Sequence, residues 1–320
     1  MHIIITGAAG FLGARLAMKL LEQGELAGQP ISHITSLDLA PCPVEDARID
    51  SIVGDISDPA VIERAFRDDT IAVCHLAAIV SSHAEAEFDQ GMQVNFDATR
   101  SLLEACRHRG SHIRFLFSSS LAVFGPGMPS PLTEQTAPQP LSSYGTQKAM
   151  SELLVNDYSR RGFIDGRVCR LPTIVVRPGR PNRAASSFAS SIIREPLGGE
   201  EAVCPIDPDF AIWICSPETI INNLAHALSL EGERMEACRT INLPGMSIRV
   251  TEMIESLERV AGPETTSLIR YERDAQIEAI VYSWAPLFDN QYALSLGFGV
   301  DEQFDDIVRA HQHYMSRQQG

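Results

Sequence analysis

No stretch of this sequence is apolar for long enough to span a bilayer. Its opening, MHIIITGAAG, has none of the basic residues that start a signal peptide. Positive charge is scarce: 41 acidic against 26 basic side chains give a net charge of −15, so nucleic acid is not an expected partner. The cysteines at 42, 74, 106, 169, 204, 215 and 238 include no Cys-x-x-Cys pair, and no metal site is expected. Cys74, Cys106 and Cys169 lie in apolar segments, as buried thiols do, and the pattern suits a reducing cytoplasm. Repeats, low-complexity tracts and flexible linkers are also missing. What remains is a chain of 320 residues with ordinary apolar and charged content, enough for one large or two ordinary globular domains.

Short apolar runs alternate with amphipathic segments through the first half. Strands are expected at 2–6, 33–39, 71–77, 113–120 and 166–176. Helices are expected at 10–24, 58–67, 88–110 and 146–162, with Asp58 capping the second of these ahead of Pro59. That alternation predicts βαβ units and a doubly wound parallel sheet of the Rossmann type, an α/β fold. Beyond about residue 177 the regularity breaks. A loop at 177–187, helices at 187–195 and 216–230, and another within 247–262 with Thr251 as N-cap suit a smaller C-terminal lobe. The expected division is 1–176 for the sheet domain, with later segments returning at about 206–245, and 177–320 mainly for the substrate-binding lobe.

The stretch TGAAGFLG, 6–13, follows a strand and opens a helix. Its Gly7, Gly10 and Gly13 permit a tight turn and the close approach of a pyrophosphate to backbone amides. Asp38 ends the next strand, where a carboxylate accepts from the adenosine ribose and repels a 2′-phosphate, favouring NAD over NADP. A purely structural, helix-capping role for Asp38 stays open, and Asp55 in GDISD lies near the adenine. Tyr144 and Lys148, four residues apart behind Ser142 and Ser143, share one helix face. A nearby ammonium would lower the tyrosine pKa towards a usable base, although the spacing alone also fits a solvated helix face. Between 166 and 194 stand six arginines (167, 170, 177, 180, 183 and 194) and no acid. They could pair with acids elsewhere or bind an anion, and a carboxylate or a sugar diphosphate would serve equally.

Taken in order, TGAAGFLG 6–13, GDI 54–56, HLAA 75–78, VN 94–95, FSSSLAVFG 117–125, YGTQK 144–148 and RLPTIVVRPG 170–179 resemble the extended short-chain dehydrogenase/reductases, the group of nucleotide-sugar epimerases and dehydratases. The resemblance implies a catalytic set of Ser120, Tyr144 and Lys148, with Tyr144 as general base and Lys148 also holding the nicotinamide ribose. It implies NAD contacts from Gly7, Ala9, Gly10, Phe11, Leu12, Gly13, Asp38, Asp55, Ile56, Leu76, Ala77, Ala78, Asn95, Ser118 and Pro172. Substrate contacts would come from Ser81, Ser120, Tyr144, Thr173, Arg177 and Arg180. Leu121 and Ala122 stand where dehydratases usually carry an Asp-Glu pair, which disfavours dehydration. Residues 170–205 are similar to one subgroup that oxidises a four-carbon 2-hydroxy sugar acid at C2 with NAD. The alternatives are a nucleotide-sugar 4-epimerase that retains its NAD, and a non-catalytic NAD sensor on the same fold. A homodimer through 88–110 and 146–162 is the family expectation.

Overall fold

Seven parallel strands form the central sheet, in the order Thr240–Asn242, Asp165–Leu171, Arg114–Ser120, Thr70–His75, His2–Thr6, His33–Asp38 and Ile49–Val53. The computed structural model describes residues 1–110, 113–179, 184–235 and 237–319. The chain builds outward from His2–Thr6 to one edge, then returns to build the other half. That reversal opens a crevice at the carboxyl ends of His2–Thr6 and Thr70–His75, where an open α/β sheet binds ligands.

The first strand, HIIIT, is buried at every position because helices cover both faces. Ile3 and Ile5 pack with Leu16 and Leu20 of helix Phe11–Gln23 and with Leu224 and Leu228 of helix Pro217–Ser229. Ile4 points the other way, into Leu102, Phe115, Phe117 and Val155. Strand Ile49–Val53 gave no sequence signal: it is the outer edge of the sheet, and its half-exposed residues lack an apolar run. The run read as one strand at 166–176 breaks at Pro172, which has no amide to donate. Thr173–Ile174 instead starts a small sheet with Ala211–Cys215 and Met246–Arg249. A second core, including Val175, Phe188, Ile214, Met253 and Leu257, holds this lobe together.

Two further segments differ from the sequence reading. Residues 88–110 do not form one regular helix: Phe88–Gly91 and Ala98–His108 flank a wider-wound π segment, Met92–Asp97, of the kind often found at functional sites. Thr251 is not a cap. Helix Val250–Ala261 is capped at Arg249, whose N–H donates to Glu252 Oε2 at 2.8 Å, while the Thr251 hydroxyl donates to the Pro208 carbonyl.

Candidate active site

The first strand ends in a turn at Gly7, whose φ of +72° lies in the left-handed region. A Cβ at Gly7 would stand 2.8 Å from the Ala77 nitrogen, and one at Gly13 only 2.2 Å from the Gly7 oxygen. These glycines let the turn, the first helix and the 76–78 segment close on one another. Helix Phe11–Gln23 starts with no side-chain cap and no acid in its first turn. Its orphan amides and positive dipole end therefore suit a diphosphate. Asp38 caps no helix but braces the glycine turn. Its Oδ2 accepts from Ala9 N at 2.9 Å and its Oδ1 from Leu39 N at 2.6 Å, fixing the turn, while the residue also lines the cleft.

The cleft is a cavity of about 1000 Å³. It is lined by Gly7, Gly10, Phe11, Leu12, Gly13, Asp38, Asp55, Ile56, Leu76, Ala77, Ala78, Ser118, Tyr144, Lys148 and Pro172 from the expected cofactor set, and by Ser81, Ser120, Thr173 and Arg177 from the expected substrate set. Two residues of the expected cofactor set do not line it. Ala9 spends its amide on Asp38. Asn95 is buried and pins the wall from behind: it accepts from Ile79 N at 2.8 Å and donates to Ile79 O at 3.0 Å and to Gln147 Oε1 at 2.8 Å. Arg180 lies outside the described residues.

The residues of the expected catalytic set meet because strand Arg114–Ser120 and helix Ser143–Arg160 come close. A Cβ at Gly145 would be 2.1 Å from the Ala122 oxygen, so only glycine lets the helix start against the turn after Ser120. Ser142 caps that helix through the Gly145 amide at 3.1 Å. Ser120 Oγ accepts from Ala122 N at 3.2 Å, and its hydroxyl lies on the same cleft wall as Tyr144. Lys148 is buried; its Nζ donates to Ser118 O at 2.7 Å, 4.6 Å from the Phe117 ring centre and 5.7 Å from that of Tyr144.

The electrostatics correct one expectation. The Tyr144 pKa is not lowered: burial pushes it up to about 12, with the Ser120 hydroxyl opposing. Burial also pulls Lys148 down to about 7, against the attraction of Glu152. Desolvation is the largest cause of both shifts, and the Lys148 Nζ hydrogen bond goes to the Ser118 carbonyl rather than to Tyr144.

Behind them lies a network that sequence reasoning missed. His75 is buried between Thr6 Oγ1 at 2.8 Å and Thr99 Oγ1 at 2.9 Å, and burial, then Lys148, lowers its pKa to about 3. Thr6 Oγ1 also accepts from the Leu76 and Ala77 amides, which ties the cofactor-facing segment to the first strand. A histidine at a strand end carries no local signal for this role.

The arginine run divides. Arg167 pairs with Asp165 at 2.8 Å, Arg170 with Glu152 at 2.7 Å and Arg194 with Glu195 at 2.5 Å, so these three are structural. Arg177 has no carboxylate partner among the described residues. Its backbone is held by Ser190 Oγ and the Arg194 guanidinium, its side chain lines the cleft 5.8 Å from the Phe11 ring centre, and it stays half-buried. The far wall comes from Ser186, Trp213, Ile280, Ser283 and Trp284, which no sequence motif marked.

A glycine cradle on a strand-to-helix turn, an acid at the next strand end and a Ser-Tyr-Lys set in one cleft define a dinucleotide-dependent oxidoreductase site of the short-chain type. The sequence profile of the NAD dependent epimerase/dehydratase family matches residues 3–210, and the chain belongs to that family. It is 52% identical to D-erythronate dehydrogenase of Cupriavidus necator over 97% of this chain and 98% of that one. It is 46% identical to D-erythronate dehydrogenase of Haemophilus influenzae over 98% and 99%. Among solved structures, a nucleoside-diphosphate-sugar epimerase from Agrobacterium tumefaciens superposes with a TM-score of 0.92 at 42% identity, covering 97% of this chain and 93% of that one. NAD is the cofactor on which family and site agree.

Proposed function

We propose that this chain is an NAD-dependent dehydrogenase that oxidises D-erythronate at C2 to the 2-oxo acid. The observation that carries the reading is the convergence of Ser120, Tyr144 and Lys148 in a cleft that also holds Arg177, a guanidinium without a carboxylate partner among the described residues. The two relatives named for that reaction support it. When bound, NAD accepts the hydride that leaves C2 and brings a positive charge into the cleft. Ser120 hydrogen-bonds the reacting oxygen. Tyr144 reacts as its phenolate, having first released its own proton through the cleft, with the neighbouring Lys148 ammonium offsetting the phenolate charge. It takes the hydroxyl proton as the carbonyl forms and ends as a neutral phenol. Arg177 meets the substrate carboxylate, and Ser81 and Thr173 offer hydroxyls to the remaining polyol.

The nearby structure named as an epimerase keeps a second reading alive, a nucleotide-sugar 4-epimerase with retained NAD. Incubation with NAD and a panel of aldonates and UDP- or TDP-sugars separates the two. The dehydrogenase accumulates NADH with D-erythronate. Isomerised sugar without NADH sinks this reading.

The enzyme acts in the cytoplasm as a homodimer through the helices around 88–108 and 143–160. Free buried thiols at Cys74, Cys106 and Cys169 favour a reducing compartment, and the outward-facing Phe88 and Leu153 favour a helical interface. No helix among the described residues is long and apolar enough to cross a membrane. Size-exclusion chromatography with light scattering, on wild type and Leu153→Glu, tests the interface: a monomeric wild type removes it.

A further inference from the structure

The catalytic helix carries a third ionisable side chain on the Tyr144–Lys148 face. Glu152 follows Lys148 by four residues, so the three head groups climb one stripe. Glu152 and Arg170 are each 3% exposed. Both Glu152 oxygens are engaged: Oε1 accepts from Ser119 Oγ at 2.5 Å and from Arg170 Nε at 2.9 Å, and Oε2 accepts from Arg170 Nη2 at 2.7 Å. Arg170 is itself fixed, 4.8 Å over the Phe124 ring and 3.4 Å from Asn242 Oδ1. The carboxylate therefore cannot turn to form a salt bridge with Lys148. It remains a stationary charge.

Lys148 needs such a charge. It is 1% exposed, donates to one backbone carbonyl, and has no carboxylate within salt-bridge reach among the described residues. A buried ammonium without compensation is costly. The titratable groups around it are Tyr144 and Glu152 on its own helix, His75 on strand Thr70–His75 and Arg170 on strand Asp165–Leu171, with Glu134 beyond Arg170. His75 and Tyr144 are neutral near pH 7, and Arg170 carries the opposite sign. Glu152 is the negative charge that opposes the burial of Lys148, whose pKa is already pulled down to about 7.

We propose that Glu152, clamped by Arg170 and Ser119, is a positioning residue of the catalytic pair: its fixed negative charge one helical turn beyond Lys148 keeps the ammonium form available to Tyr144. Ser119 fastens the same carboxylate to the strand that ends in Ser120, so one buried cluster sets both the charge of the lysine and the place of the serine. The inference takes its catalytic meaning from the dehydrogenase reading, but the electrostatic link is measurable without any substrate.

The sequence contains two lysines, Lys19 and Lys148. In protein labelled with ¹³C-lysine, two ε-methylene signals are therefore expected, and Lys148→Met identifies the one of interest. The wild-type Lys148 midpoint should lie near 7. The double variant Glu152→Met/Arg170→Met removes the whole ion pair, an exchange that folded cores commonly tolerate. In it the midpoint should fall by about one pH unit, the lower end of the effect of a nearby opposite charge. Glu152→Gln should move it the same way, and Glu152→Asp, which keeps the charge, should leave it near the wild-type value. Where D-erythronate is turned over, the acid limb of kcat/KM should move with the midpoint. A folded double variant with an unshifted Lys148 midpoint, or a Glu152→Asp midpoint displaced as far as that of the double variant, overturns the proposal. A purely structural pair would lower the melting temperature and leave the midpoint where it is. Failure to oxidise any aldonate would defeat the substrate reading and leave this titration intact.

Discussion

The wall of the cleft proposed for the cofactor and the wall proposed for the substrate are assembled differently. On the cofactor wall, Gly7, Gly10 and Gly13 lie in one turn, and Asp38 reaches back to it through the Ala9 amide. On the substrate wall, Ser81, Ser120, Arg177, Ser186, Trp213 and Ser283 come from separate segments and meet only because two cores pack side by side. A wall made of local backbone geometry binds by its amides. A wall made of distant side chains selects by what happens to converge. Substitutions on one wall should therefore leave the function of the other largely intact.

The largest break in that comparison lies where the walls join. Tyr144→Phe keeps the ring and removes the proton acceptor, so hydride transfer should fall by about 10²–10⁴-fold while NAD binds as before. Single-turnover absorbance at 340 nm and NAD titration measure the two. A fully active, folded Tyr144→Phe enzyme would sink the mechanism. Next comes Ser120→Ala, expected to cost about 10²-fold in kcat with little change in NAD affinity. Ser119→Ala should cost less in rate, since its hydroxyl serves Glu152; the reverse ranking would mean that the serine contacts are misassigned.

Arg177 sharpens the comparison because it stands near both walls. Arg177→Met should raise KM for the sugar acid by roughly 10–100-fold, the scale of a hydrogen bond to a charged group, and leave the NAD dissociation constant unchanged. Weaker NAD with an unchanged KM would reassign the guanidinium to the diphosphate beside Phe11.

The last effect is on stability, and it leaves activity at neutral pH untouched. His75 and His2 are held neutral by burial, with pKa values lowered from 6.5 to about 3 and about 4. The unfolded chain binds more protons than the native one between these values. The stabilisation is therefore complete above pH 6.5 and is lost as pH falls towards 4, at up to about 1.4 kcal/mol per pH unit for each ring. Urea midpoints measured from pH 7 to 4.5 should fall, and His75→Gln should flatten the slope. An unchanged slope would mean that His75 protonates freely in the native state.

How far the sequence could be read follows the same division. The strand at 2–6, the turn at 7–13, the cap at Asp58 and the convergence of Tyr144 with Lys148 are consequences of spacings within a few residues, and they stand in the structure. The edge strand Ile49–Val53 and the π segment around Asn95 depend on neighbours brought in from elsewhere, and local pattern did not reveal them. Pro172 breaks its strand locally, but only pairing with Ala211–Cys215 decides where the chain goes next. Arg170 and Arg177 are alike in sequence, seven residues apart in one acid-free run. Only the fold sets Glu152 against the first and leaves the second facing the cleft.

The sequence by itself determined the parallel sheet, through its alternation of apolar runs with amphipathic helices, and the glycine turn, through backbone permissiveness at a few positions. The 3.6-residue period put Tyr144 and Lys148 on one helix face, and their catalytic role with Ser120 is what the family resemblance implies. The tertiary structure alone decided the charge states and the walls. Whether Lys148 is held as an ammonium depends on how deeply it is buried and on a carboxylate that Arg170 and Ser119 hold one turn away. Burial and long-range charge are properties of packed segments, and no spacing along the chain encodes them.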